Sequence, residues 1–215
     1  LGEGPLLGVG LFERGAARPG WLLMVIHHLV VDGVSWRILL EDLQLCYEQL
    51  KRGEAVQLPA KTTSYKQWAE RLQAYAQSDE VQQEAAYWEA EQGGVEGQLP
   101  LDFAEGVNLK ASARTVTVSL GAEETRQLLQ EVPKAYNTQI NDILLAALVV
   151  AVGQWTGRRS LLIDLEGHGR EALFEEVDVA RTVGWFTALY PVRLELETDN
   201  WETLKRVKEH LRAIP

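Results

Sequence analysis

Two adjacent histidines followed by an aspartate and a glycine, His27-His28-Leu29-Val30-Val31-Asp32-Gly33, come directly after the apolar run Trp21 to Ile26. Imidazole titrates near ~6.5, so a neighbouring carboxylate or partial burial can make it a general base at neutral pH. Asp32 stands four residues beyond His28, close enough to fix the local turn, together with Gly33, through a hydrogen bond or an ion pair. Arg170 and Arg181 are its candidate cationic partners. His27 is expected to turn away from His28 in an orienting role, because successive strand residues point to opposite faces.

A second cluster of ionisable groups, Glu166-Gly167-His168-Gly169-Arg170-Glu171, follows the β-like run Ser160 to Leu165. Glycine on both sides of His168 allows positive φ or close approach of backbone to a ligand. By composition the same stretch also reads as a surface turn with solvated charges. His27, His28, His168 and Glu166 carry metal-binding atoms, but adjacent strand histidines diverge and no HExxH or cysteine pair is present, so no metal is expected. Gly8-Val9-Gly10 lacks the rest of a dinucleotide fingerprint, and there is no phosphate-binding GxxxxGK[ST] loop.

The elements that must carry these groups follow from periodicity. Leu6 to Phe12 and Trp21 to Leu29 read as two strands joined by a turn containing Pro19-Gly20, the second delivering the histidines. Ser35 is the expected N-cap of a helix to about Leu50, with Ile38, Leu39, Leu43, Cys46 and Leu50 at helical spacing and Gly53 as its stop. Ser64 and Ser78 are caps for two further amphipathic helices, one striped by Trp68, Leu72 and Tyr75, the other by Val81, Ala85 and Trp88. Gly93 to Asn108 reads as a long loop, Thr115 to Leu120 as a half-buried strand, and Gly121 to Val132 as a helix that Pro133 should end. Gln139 to Trp155 is apolar on nearly all sides, which predicts an interior helix closed by Thr156-Gly157.

The chain has 215 residues, 46% of them apolar, and 21 basic against 31 acidic side chains give a net charge of −10. That balance argues against nucleic acid or an anionic membrane as partner. The longest apolar run, Ile143 to Val152, is short of the ~18 residues a membrane span needs. The single cysteine, Cys46, lies in a helical pattern and reads as a buried structural thiol, consistent with a reducing cytoplasm.

The block His27 to Gly33 continues as Val34-Ser35-Trp36-Arg37-Ile38-Leu39-Leu40-Glu41-Asp42-Leu43, and the whole resembles the epimerization domains of nonribosomal peptide synthetases, relatives of the condensation domains. Ile140-Asn141-Asp142-Ile143-Leu144-Leu145, Trp155-Thr156-Gly157, the EGHGRE block from Glu166 and Arg181-Thr182-Val183-Gly184-Trp185-Phe186-Thr187-Ala188-Leu189-Tyr190-Pro191-Val192 extend the resemblance in family order. It implies an α/β fold: a chloramphenicol acetyltransferase-like layered lobe, part of a two-lobed domain. On that reading residues 1–110 are the C-terminal part of the first lobe with HHxxxDG, and 111–215 are the crossing segment and start of the second lobe with EGHGRE, incomplete at both ends.

The resemblance further implies inversion of the α-carbon of an aminoacyl or peptidyl thioester, with His28 and Glu166 as the acid/base pair. By their chemistry His168 and Arg170 would stabilise the enolate or shape the turn, and Trp36, Trp185 and Phe186 would either line a hydrophobic channel for the substrate side chain or, as aromatic residues beside apolar runs more often do, belong to the core. No cofactor is bound directly, since the substrate rides on the phosphopantetheine of a peptidyl carrier domain. Carrier and neighbouring synthetase modules are the implied partners, without nucleic acid or membrane. Two other functions fit the same motifs: a condensation domain forming a peptide bond, and an inactive carrier-docking fragment.

Overall fold

A computed structural model of the chain describes residues 2–93, 99–107 and 109–215. It divides into two compact units, one made of Leu1–Gln83 with Glu166–Leu189, the other of Glu84–Leu165 with Tyr190–Pro215. The chain leaves the first unit after Gln83 and returns to it at Glu166.

In the first unit, β1 (Leu7–Phe12) and β2 (Trp21–Ile26) form an antiparallel hairpin in which Leu7 faces Ile26 and Phe12 faces Trp21. β2 stops at Ile26 rather than Leu29. His27 donates its N–H to the Leu6 carbonyl at 2.8 Å and then caps a 3₁₀ turn over His28–Val30, its Nδ1 accepting the Leu29 N–H at 3.1 Å. His27 thus lies past the end of β2 and gives its ring to the turn.

Helix α1 (Gly33–Lys51) follows at once, and its N-cap is Asp32 rather than Ser35. The Asp32 carboxylate accepts the Ser35 N–H at 2.7 Å, the bond that satisfies an orphan donor of the first turn. Cys46 is half-buried on this helix, and Gly53 takes φ +73 beyond its end. Ser64 caps α2 (Tyr65–Tyr75) with reciprocal bonds to Gln67. The next amphipathic stripe is interrupted, giving α3 (Asp79–Gln83) here and α4 (Ala85–Gln92) in the second unit. The core of the first unit is aromatic: Trp68, Val179 and Phe186 are buried, with Phe174 and Val177 against them.

In the second unit, the expected loop from Gly93 to Asn108 falls partly on 94–98 and 108, which lie outside the described residues. The strand expected over Thr115 to Leu120 is absent from both sheets; Val116 and Val118 are 91% and 90% exposed. Alternation marks a possible strand, but without a neighbouring ladder the backbone has nothing to pair with. Pro133 does not end a helix. α5 (Ala122–Arg126) passes through a π turn over Gln127–Glu131 into α6 (Val132–Tyr136), with Pro133 in the first turn of α6, where its missing N–H costs nothing. The chain turns instead at Asn137, whose φ is 50.

α7 (Ile140–Thr156) is capped by a Gln139–Asp142 pair and closed by Gly157 at φ 72. Its inner face buries Ala146 and Val149, but Leu144 is 51% and Trp155 61% exposed, so the helix is not interior all round. β3 (Ser160–Gly167) and β4 (Ala188–Glu195) form the second sheet, and α8 (Asn200–Arg212) completes the unit. Val192 and Leu194 of β4 pack with Ala146, Val149 and Val207 in one cluster. The motif patterns leave α8 unassigned, although Asp199 caps it by accepting the Glu202 N–H at 2.9 Å and Leu204, Val207 and Leu211 share one stripe.

The burial pattern fixes where substitutions matter. Leu194→Ala, at a site 1% exposed, should cost ~2–5 kcal/mol in urea titration, as large-to-small core changes do. Val116→Thr should stay within ~0.5 kcal/mol; a comparable loss at both positions would show that the 115–120 segment is packed.

Candidate active site

The two chemical motifs meet in the first unit through a buried ion pair. One guanidinium nitrogen of Arg170, Nη2, lies 3.0 Å from each carboxylate oxygen of Asp32 and 3.0 Å from the Ser35 hydroxyl. Nη1 donates to the carbonyls of Val179 and Thr182 at 2.9 and 2.8 Å, and the group sits 3.9 Å over the Phe186 ring. Both side chains are almost wholly buried. Arg170 rather than Arg181 is thus the partner of Asp32; Arg181 pairs with Asp42 and Glu41.

Burial pushes the Asp32 carboxyl up, but hydrogen bonds from Ser35, Arg170 and the Phe186 N–H outweigh it and hold the group below its ordinary value. Ser35, expected only as a helix cap, is fully buried and works as a hub. Its hydroxyl donates to the Gly184 carbonyl at 2.9 Å and accepts the Gly184 N–H at 3.0 Å. Tyr65 donates its hydroxyl to the Trp185 carbonyl at 2.8 Å, and Thr182 donates to the Thr63 carbonyl at 2.5 Å. Together these bonds fasten the segment after EGHGRE onto the starts of α1 and α2.

Gly169 shows why glycine follows His168. Its φ is +63, and a Cβ there would lie 1.7 Å from the Phe186 carbonyl oxygen. Glu166 is not in the turn, as the glycine pattern predicts, but is the penultimate residue of β3. His168 accepts the Arg170 N–H on Nδ1 at 3.0 Å, and Glu171 stands 3.6 Å from the same nitrogen.

Beside the ion pair lies a cavity of about 330 Å³ lined by Asp32, Gly33, Val34 and Arg37 from the first motif and by Glu166, Gly167, His168 and Thr187 from the second. Glu166 and His168 therefore share a space with the start of α1. His28 and Trp36 are not among its lining residues: the His28 ring stacks against Trp185 with centroids 5.7 Å apart. Among the described residues no three His, Cys, Asp or Glu side chains are grouped so as to hold a metal. No single helix there is long and apolar enough to cross a membrane.

The condensation-domain family model matches residues 1–215. The chain belongs to the condensation-domain family. It is 56% identical over its whole length to one of the linear gramicidin synthase proteins of Brevibacillus parabrevis, of which it spans 3%. Among solved structures it resembles the epimerization domain from the third module of tyrocidine synthetase B, with 46% identity and a TM-score of 0.85, covering 99% of this chain and 47% of that one. The first condensation domain of the calcium-dependent antibiotic synthetase, at 23% identity and a TM-score of 0.70 over 96% of this chain and 44% of that one, shares the fold. The α/β, chloramphenicol acetyltransferase-like architecture follows from these likenesses.

Within that family fold, the geometry sorts the residues singled out by sequence. Asp32 and Arg170 are tied to each other and to backbone, and the Arg170 Nε is buried without a partner among the described residues. Asp32→Asn should therefore cost ~3–5 kcal/mol at pH 7, because it leaves the Arg170 charge buried without its anion. Since the folded carboxyl is depressed, its contribution is fully present above the ordinary value of 3.8 and is lost as pH falls beneath it. Urea titrations of the two proteins should converge on acidification; a gap unchanged from pH 7 to pH 3 would remove the ion pair as its source.

Proposed function

We propose that this chain is part of an epimerization domain that inverts the α-carbon of an aminoacyl or peptidyl group held as a thioester on a neighbouring carrier domain. The reading rests above all on one observation: Glu166 lines the same cavity as the start of the helix that follows the histidine motif. The 46% identity to a solved epimerization domain supports it. Inversion needs one group to take the α-proton and another to return a proton from the opposite face. Glu166 and His28 fill these roles in the proposal, although the His28 ring packs against Trp185 and His28 is not among the residues lining the Glu166 cavity.

Peptide-bond formation is the rival within the same family. It has no use for an acid placed opposite the histidine, and that difference decides the test. Glu166→Gln in the intact synthetase module, with the carrier loaded by the module's own L-amino acid, should abolish solvent-deuterium incorporation at the α-carbon. Incorporation at the wild-type rate would remove Glu166 from the mechanism, and amide formation without any incorporation in the wild type would favour the rival.

A further inference from the structure

Arg37 begins the second turn of α1, four residues after Gly33 and so on the same helix face. Its side chain lines the cavity that holds Glu166, and among the described residues it makes no hydrogen bond or ion pair. The other candidate cations of the two motifs are engaged. Arg170 is spent on Asp32, Ser35 and two carbonyls, and Arg181 is spent on Asp42 and Glu41. His168 accepts the Arg170 N–H on Nδ1, with Glu171 3.6 Å from the same nitrogen. The other acidic residue lining the cavity, Asp32, is already neutralised by Arg170, so among the described lining residues only Glu166 offsets the Arg37 charge.

From this arrangement we infer that Arg37 is a catalytic residue for the proposed epimerization, its guanidinium binding the thioester carbonyl oxygen as negative charge develops on it. The inference rests on the function proposed above. When the base takes the α-proton, the C–H electron pair forms the Cα–C double bond and the carbonyl π pair moves onto oxygen. When the acid returns a proton to the opposite face, the carbonyl re-forms. Base and acid have then exchanged protonation states, and solvent restores them; no oxidant, reductant or co-reactant enters. The charge that must be stabilised exists only between these two steps. A permanently ionised fork with no internal partner among the described residues, on the same helix face as Gly33 near the positive end of α1, suits that task.

The test uses the intact module with its aminoacyl carrier supplied in trans, following deuterium incorporation at the α-carbon for wild type, Glu166→Gln, Arg37→Gln and Arg37→Lys. Arg37→Gln should lower kcat by ~10²–10³-fold with KM for the carrier unchanged, as loss of an oxyanion donor does. Arg37→Lys should recover much of the rate. Because Arg37 is exposed and makes no bond to the rest of the described chain, the urea midpoint should not move, and the lysine variant is read independently should the glutamine variant fold poorly. Wild-type kcat in both Arg37 variants, or a loss confined to KM, would overturn the inference while leaving the role of Glu166 intact. Absence of exchange in the wild type would overturn both.

Discussion

The contact between Asp32 and Arg170 is the constraint on which the first unit depends. A carboxylate and a guanidinium removed from water are tolerable only when their remaining polar atoms are bonded, and here nearly all of them are. Asp32 uses the same side chain to cap α1 and to hold Arg170, so the helix start and the loop after β3 cannot move independently. Ser35 and Gly184 lock the same junction from the other side. Gly169 is forced by this closeness, because any larger residue would collide with the Phe186 backbone.

The consequence for chemistry is a division of charge between structure and site. Groups that look alike in sequence have opposite fates: Arg170 and Arg181 are consumed by carboxylates and carbonyls, whereas Arg37 remains uncommitted beside Glu166. A similar division separates the histidines. His27 gives its ring to a turn, His168 gives one nitrogen to a backbone amide, and the His28 ring packs on an indole and makes no hydrogen bond among the described residues.

Periodicity and capping chemistry made much of the architecture legible. The β1–β2 hairpin, α1, the Ser64-capped α2 and α7 with its closing glycine all follow from local patterns whose physics is satisfied within a few residues. The failures share the opposite property. A strand over 115–120 requires a partner elsewhere, the fate of Pro133 depends on a π turn that resets the register before it, and the exposure of Leu144 and Trp155 depends on what packs against α7.

The sequence by itself determined which chemical groups exist, that they come in two motifs of one family, and the local turns that aim them. Only tertiary structure decided which of those groups are free. Charge neutralisation is a matter of ångströms between residues such as 32 and 170, far apart along the chain, and no local pattern records whether a guanidinium has found its carboxylate.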